Sequence, residues 1–143
     1  MGTHKKVIKI PSEISNIKKV SSEILNSLAP YKLNEDRLFD IRLCTEEAVR
    51  NAIVHGNRSD KKLYVTVNYW VDNNKLSIEI EDEGPGFDCD KVPDPTDEDN
   101  LIKGSGRGVY LVRHLMDEVE FNDKGNKVRF AKYLDNRGKG DSI

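Results

Sequence analysis

Apolar residues recur along this chain with two different periods, and the periods predict its elements. A first helix is indicated after Ser12, which can cap it, because apolar residues follow at every third or fourth position up to Pro30. A second, longer helix opens at Asn34 or Asp36, and Gly56-Asn57 marks its end. The two apolar stripes are Ile14, Ile17, Val20, Ile24 and Leu28, and then Leu38, Ile41, Thr45, Ala48 and Ala52.

A strict alternation of apolar and polar positions predicts strands. Val7 to Ile10 indicates an edge strand stopped by Pro11, and a hairpin follows the helices, with its turn at 72–74. The inward positions of the hairpin are Leu63, Val65, Val67, Tyr69 and Val71 on its first strand and Leu76, Ile78 and Ile80 on its second. Asp82 has the same parity, so we expect an acid on the line of the buried face.

The last third of the chain changes in composition. Residues 88–103 are rich in Asp, Pro, Glu and Asn, which predicts a mobile loop with little apolar surface to offset its ordering entropy. A helix is predicted from Gly108 to Asp117, followed by strands at 119–122 and 127–134 and a polar tail at 135–143. Hairpin-linked strands with interspersed helices favour an α+β two-layer sandwich with a mixed, mostly antiparallel sheet and helices on one face.

Composition narrows the class of protein. At 143 residues we expect a single domain, residues 1–134, with its own core. Because 23 basic residues nearly balance 25 acidic ones, no single-sign field argues for nucleic acid or membrane binding. Cys44 and Cys89 fit neither a disulfide framework nor a zinc site. No run of apolar residues has signal or membrane-spanning length, so we expect a soluble cytoplasmic protein.

The second helix carries a candidate catalytic line. Glu47, Asn51 and His55 are spaced four residues apart, so they share one face beside the apolar stripe. A carboxylate can accept a proton from a hydroxyl group, and an amide oxygen one turn away can bind Mg²⁺. Taken alone, the pair is also typical of a solvated helix face, and His55 is also typical of a helix C-terminus.

Two glycine-containing segments offer complementary chemistry. Asp82, Gly84 and Gly86 place an acid that can accept a hydrogen bond from an exocyclic amine beside glycines that allow close backbone approach, although a surface turn has the same composition. The segment 104–108 leads into a helix, whose N-terminal amides and dipole favour phosphate. Taken alone, this segment is also typical of a flexible hinge, and Arg107 is also typical of an exposed basic side chain. Its residues are Gly104, Ser105, Gly106, Arg107 and Gly108.

In this order, the three segments resemble the nucleotide-binding boxes of the GHKL ATPase superfamily, which includes type II topoisomerases, sensor histidine kinases and bacterial anti-sigma-factor serine kinases. The resemblance covers about residues 35–133 and is strongest to the anti-sigma kinases, because of the chain's size, the lack of a histidine-bearing dimerisation helix and the segment 115–119. It implies a Bergerat-type ATP-binding fold.

The resemblance also implies roles for individual residues. Glu47 matches the general base, Asn51 the magnesium ligand and Asp82 the adenine ligand, while Glu46 is one position out of register. Gly84 and Gly86 match the family's glycines beside the adenine base. The phosphate-binding lid matches Gly104, Ser105, Gly106, Arg107, Gly108, Val109 and Leu111. Where the family often has Gly-Thr near the last strands, this chain has Gly125-Asn126, so Asn126 is expected to replace the threonine at the adenine end.

The function implied is that of a Mg-ATP-dependent protein serine/threonine kinase. Its expected substrate is an anti-sigma-factor antagonist protein, its other partner is a sigma factor, and a homodimer is expected through the N-terminal strand and first helix. Three alternatives stay open: a detached histidine-kinase ATP domain, an ATP-binding regulatory module without turnover, and a protein with no nucleotide site.

Overall fold

The computed structural model describes residues 5–84 and 105–135, with the backbone alone for residues 105–109. Its helices are α1 (Ile17–Ser27), α2 (Glu35–Asn51) and α3 (Ser105–Leu115). A π-helical turn, Ala52–Gly56, follows α2, and short 3₁₀ turns occupy Ile14–Asn16 and Ala29–Tyr31. The strands are β1 (Lys6–Pro11), β2 (Tyr64–Asp72), β3 (Lys75–Glu81), β4 (Glu118–Phe121) and β5 (Lys127–Tyr133).

The described strands form one antiparallel sheet in the order β1-β2-β3-β5-β4. The α+β architecture is confirmed, whereas the expected mixed pairing is not present among these strands. Because β5 inserts between β3 and β4, the two strands joined through α3 run in the same direction without being neighbours. Local sequence patterns carry no information on such an insertion.

All three helices cover one face of the sheet, as predicted. The core combines the inward residues of the strands, including Val65, Val67, Ile78 and Phe130, with the buried faces of the helices. At the hairpin turn, Asn73 and Asn74 both have positive φ, at 54° and 59°, which is the geometry of a two-residue turn that matches the twist of the strands. The hairpin and its inward parity are therefore confirmed.

The N-terminal boundary of α1 differs from the prediction, whereas that of α2 does not. Ser12 does not cap α1, because its hydroxyl donates to the Leu63 carbonyl at 2.7 Å, and the N-cap is Asn16. The intervening 3₁₀ turn leaves Ile14 55% exposed instead of in the core. In contrast, Asn34 caps α2 as predicted, since its side-chain oxygen accepts the Arg37 N–H at 2.8 Å.

The helix after the glycine segment begins at Ser105, three residues earlier than predicted. Packing of its C-terminal half against α2 and the core, where Val112 and Met116 are buried, supports a helix whose first turn contains residues of low helix propensity. The predicted loop at 88–103 and residues 136–143 of the predicted tail lie outside the described residues. The single-domain boundary at residue 134 stays a prediction.

Candidate nucleotide-binding site

A buried acid lies directly after β3. Asp82 continues the inward line of that strand and is 9% exposed, as its parity predicted. The Gly84 N–H donates to its Oδ1 at 2.9 Å. Burial raises the pKa of Asp82, and the hydrogen bond from Gly84 partly opposes this rise. A desolvated carboxyl group costs folding free energy, and acids with such perturbed pKa values are concentrated at functional sites, so Asp82 is a candidate binding residue.

Two glycines bring the main chain against this carboxyl group. A Cβ atom on Gly56 would overlap the Asp82 carboxylate, and a Cβ atom on Gly84 would overlap the Gly56 carbonyl group. The end of the helical segment and the end of β3 can approach this closely only where neither residue has a side chain. Gly56 was missed as a site residue because its sequence context, a glycine after a helix, already had an explanation as a helix terminus.

The π-helical turn alters the predicted line of polar residues on α2. The Asn57 N–H donates to the Ala52 carbonyl at 2.8 Å, five residues back, which widens the helix and changes the direction of later side chains. The four-residue spacing of an α-helix therefore applies to Glu47 and Asn51 but not beyond, and His55 is exposed. The assignment of His55 to the site stays a prediction.

Glu47 and Asn51 are both half-buried, beside the core residues Ala48 and Val49. Among the described residues, no hydrogen bond or ion pair occupies either polar side chain. Glu46 differs, because its Oε2 accepts the Ser21 hydroxyl of α1 at 2.7 Å and so serves to pack the two helices. Because this contact engages Glu46, it favours the prediction that Glu47, and not Glu46, is the general base.

The third predicted segment lies at the start of α3. Residues 105–109, which include Gly106, Arg107 and Gly108, form the beginning of this helix, so their backbone amides are those of a helix N-terminus. Deeper in α3, the Leu111 carbonyl accepts a weak hydrogen bond from the Cys44 thiol, with sulfur and oxygen 3.9 Å apart. Burial raises the pKa of Cys44 to about 12, so this thiol stays protonated and able to donate.

Several predicted site residues lie beyond what can be placed. Gly86 and Gly104 are outside the described residues, and the side chains of Ser105, Arg107 and Val109 are not described. Their roles stay predictions. Leu111 is half-buried on α3, and its assignment to the phosphate end is likewise a prediction.

Asn126 lies beside Asp82, although its side chain is directed at the protein. Its Nδ2 donates to the Asp82 carbonyl at 2.9 Å, its Oδ1 accepts from Asn122 at 2.8 Å, and its own carbonyl accepts the Asp82 N–H at 2.9 Å. These contacts place Asn126 beside Asp82 and tie β5 to the segment that carries this acid. Direct contact of Asn126 with a nucleotide stays a prediction.

A buried lysine on β5 was also missed. The Lys132 ammonium group donates to the Leu115 carbonyl at the end of α3, at 2.8 Å, and lies 3.7 Å from the Asp40 carboxylate of α2. A cation at a helix C-terminus is favourable, and here it joins β5, α3 and α2. The sequence did not indicate a buried lysine, because the alternation of β5 places residue 132 on the inward face, where apolar side chains are normal.

The residues present fit a nucleotide better than they fit a metal ion on its own. Asp82 offers a carboxyl acceptor that lies against Gly56 and Gly84, where an added Cβ atom would overlap atoms of the protein. Among residues 5–84 and 105–135, no group of three or more His, Cys, Asp or Glu side chains could hold a metal ion. Mg²⁺ is commonly held by one or two protein oxygens together with phosphate oxygens, so Asn51 suits a metal that arrives with a nucleotide.

Comparisons with known proteins agree with this arrangement. The profile of a family described as the histidine kinase-like ATPase domain matches residues 10–132. A serine-protein kinase, RsbW of Bacillus subtilis, is 32% identical over 106 residues, which are 69% of this chain and 66% of that protein. An anti-sigma F factor from a Thermoanaerobacter species is 34% identical over 104 residues, which are 69% of this chain and 72% of that protein.

A second RsbW, from Bacillus velezensis, is 28% identical over 134 residues and is matched over 84% of its length. Among solved structures, the RsbU and RsbW domains of a Mycobacterium tuberculosis protein match with a TM-score of 0.62 at 16% identity. That match covers 90% of this chain and 31% of the other, and at this identity it concerns the fold alone. No helix among the described residues is long and apolar enough to cross a membrane.

The fold and the family match define an ATPase domain of the GHKL class. The chain belongs to the histidine kinase-like ATPase domain family, and its relatives include proteins named serine-protein kinase RsbW and anti-sigma F factor, which agrees with the resemblance stated from the sequence.

Proposed function

We propose that this protein is an ATP-dependent serine/threonine kinase that acts as an anti-sigma factor. It phosphorylates an anti-sigma-factor antagonist protein and, in a separate complex, holds a sigma factor. The observation that carries the proposal is the buried Asp82 carboxyl group between Gly56 and Gly84, at the end of the helical segment that bears Glu47 and Asn51. The names of the relatives supply the classes of partner.

At the adenine end, Asp82 accepts a hydrogen bond from the exocyclic amine. The Gly84 amide holds the carboxyl group, and the main chain packs directly against it because neither Gly56 nor Gly84 carries a side chain. Because the acid is desolvated, leaving it unpaired against a base without that amine is costly, and this favours adenine over other bases.

At the phosphate end, Glu47 accepts the proton of the substrate hydroxyl group. Asn51, one helical turn further along, would hold Mg²⁺ through its side-chain oxygen. When bound there, Mg²⁺ would neutralise charge on the phosphate oxygens of ATP, the donor of the phosphoryl group. The first-turn amides of α3 are suited to phosphate oxygens, since a helix N-terminus presents unpaired N–H groups to an anion. Positioning and charge neutralisation supply most of the catalysis in this type of reaction.

We also propose a homodimer formed through β1 and the start of α1, in a cytoplasmic setting. In support, β1 is an edge strand on which Val7 is 62% exposed, and Ile14 before α1 is 55% exposed. Exposed apolar residues on an unpaired edge favour association. In sedimentation experiments, we expect the wild type to be a dimer and Val7→Lys to shift toward the monomer. If the wild type sediments as a monomer at every concentration tested, the proposal of a homodimer is wrong.

The experiment that tests the kinase proposal uses the purified protein as bait in a native lysate with ADP or ATP present. Captured proteins are then incubated with radiolabelled ATP and either the wild type or Glu47→Gln. A small protein should gain acid-stable label with the wild type and none with Glu47→Gln. Acid-labile label indicates the detached histidine-kinase alternative, and capture without label indicates a binding module; either result contradicts the proposal.

A further inference from the structure

A buried asparagine outside the predicted site connects three parts of the fold. Asn57 follows the π-helical turn and is 1% exposed. Its side-chain Nδ2 donates to the Ser12 hydroxyl at 2.8 Å and to the Tyr64 carbonyl at 3.1 Å. Its Oδ1 accepts the Glu83 N–H at 2.8 Å. A buried amide with partners for both of its polar atoms contributes a fixed geometry rather than a net cost.

The two ends of this amide hold different structures. On the donor side, Asn57 joins the end of β1 to the beginning of β2, where the Ser12 hydroxyl also donates to the Leu63 carbonyl at 2.7 Å. On the acceptor side, it holds the main chain that leaves β3. Glu83, whose amide it binds, lies between Asp82 and Gly84.

Asn126 holds the same segment from the other side. It binds the carbonyl and the N–H of Asp82 at 2.9 Å each, while Asn57 binds the next amide along the chain. The Gly84 amide, which donates to the Asp82 carboxylate, is one residue further. The orientation of the carboxyl group thus depends on a peptide segment fixed on both sides by asparagine side chains.

We propose that Asn57 is a positioning residue for nucleobase recognition. By fixing the Glu83 amide, it holds the segment 82–84 so that the Asp82 carboxyl group faces the base in a single orientation. This inference rests on the proposed function, since it assumes that Asp82 receives the exocyclic amine of adenine. Asn57 itself touches the main chain of the site rather than the ligand.

Inosine triphosphate provides a direct probe, because its base differs from adenine by a carbonyl oxygen in place of that amine. The ratio of ATP affinity to ITP affinity therefore measures how well Asp82 is aimed at the amine. Ser12→Ala is the matched control: it removes an acceptor of Asn57 and a hydroxyl group buried in the same network, yet leaves the bond from Glu83 to Asn57 in place.

We expect Asn57→Ala to lower the ATP-to-ITP affinity ratio about tenfold, which is the effect of misdirecting one charge-assisted hydrogen bond. Both variants are expected to lower the melting temperature. Ser12→Ala should keep the wild-type affinity ratio within about twofold, because the hydrogen bonds that it removes lie outside the segment 82–84. Calorimetry with ADP and inosine diphosphate, which carry the same two bases and no transferable γ-phosphate, measures this ratio for each variant. Should Asn57→Ala fail to fold, Asn57→Ser makes the same comparison, because its hydroxyl is too short to reach the Glu83 amide.

A wild-type ratio in the Asn57 variant, together with a lowered melting temperature, overturns the inference and leaves Asn57 a purely structural residue. Equal loss of the ratio in the Asn57 and Ser12 variants also overturns it, because the effect is then not specific to the Glu83 contact. Failure of the proposed function is recognised separately, in the wild type: binding of neither nucleotide, or of both equally, contradicts the role of Asp82 and the inference with it.

Discussion

At the scale of the residue, the carboxyl group of Asp82 is buried at a cost in stability, and we propose that it serves nucleotide binding. Its burial raises its pKa, so the folded protein binds a proton more readily than the unfolded chain does. Ionised Asp82 therefore lowers stability at neutral pH. This unfavourable contribution disappears as the pH falls through the raised pKa toward 3.8, the ordinary value.

Asp82→Asn is expected to weaken ATP binding by tenfold or more, about 1.5–3 kcal/mol for a hydrogen bond to a charged group, without lowering the stability of the ligand-free protein at pH 7. Urea unfolding of both proteins at several pH values checks this. The stability advantage of the variant should shrink as the pH falls toward 4. An advantage that grows in acid would contradict the raised pKa.

Substitutions of Glu47 and Asn51 should impair different steps, phosphoryl transfer in the first case and Mg-ATP binding in the second. Glu47→Gln keeps the shape of the side chain but cannot accept a proton, so we expect nearly unchanged ATP binding and at least a hundredfold loss of phosphoryl transfer, in line with the usual contribution of a general base. Asn51→Ala should weaken Mg-ATP binding as well. Titration calorimetry and single-turnover transfer separate the two effects.

Glu46→Gln is the control for this pair. Glu46 neighbours Glu47 in sequence but accepts the Ser21 hydroxyl of α1, a hydrogen bond that a Gln oxygen can also accept, so this variant should keep both stability and transfer. Full transfer activity in Glu47→Gln, or its loss in Glu46→Gln with ATP binding intact, would contradict the assignment of the base.

At the level of elements, the π-helical turn after α2 is the feature that assembles the site. It delivers Gly56 to the Asp82 carboxyl group and to Gly84, and it places Asn57 where both of its polar atoms find partners. A regular α-helix would continue the surface line of Glu47 and Asn51 but would project the following residues in other directions.

Gly56→Ala therefore tests the element as a unit. The added methyl group would overlap the Asp82 carboxylate, so we expect a destabilisation of about 1–3 kcal/mol and a clear loss of ATP affinity. Arg50→Ala, an exposed change on the last turn of α2, serves as the control and should alter neither by more than about 0.5 kcal/mol. Wild-type ATP affinity in Gly56→Ala would show that the close approach is unnecessary.

The C-terminal end of α3 depends on Lys132. Lys132→Met removes the hydrogen bond to the Leu115 carbonyl and leaves Asp40 without its cation, so we expect a loss of about 1–3 kcal/mol in the free energy of unfolding. The double variant Lys132→Met/Asp40→Leu should recover part of this loss, since it removes the unpaired carboxylate. Urea unfolding compares the three proteins, and equal stability of Lys132→Met and the wild type would contradict the role given to this ion pair.

At the scale of the whole molecule, one sheet face carries the helices and the site lies where the helical layer meets the ends of β3 and β5. Asp82 leaves β3, Asn126 precedes β5, and Gly56 comes from the helical layer. These two strands are neighbours in the sheet although more than forty residues separate Asp82 from Asn126. Insertion of β5 between β3 and β4 is thus a condition for the contact between Asn126 and Asp82.

Local patterns were sufficient for the order of the helices and strands and for the direction of Asp82, but not for the starts of α1 and α3. Period-two alternation in the hairpin specifies which side chains face inward, and Asp82 has the same parity as Ile78 and Ile80, so its burial followed from spacing alone. The cap at Asn34 was equally local, because it depends on residues three apart.

The contacts that complete the site depend on chain segments brought together by folding. Ser12 suited a helix cap by its type, yet its hydroxyl bonds to Leu63 and Asn57, which are far along the chain. Gly56, Asn57 and Lys132 gave no distinctive local signal, since each acts on a partner from another element. Spacing along the chain specifies the direction of a side chain, whereas the atom it meets depends on how helices and strands pack.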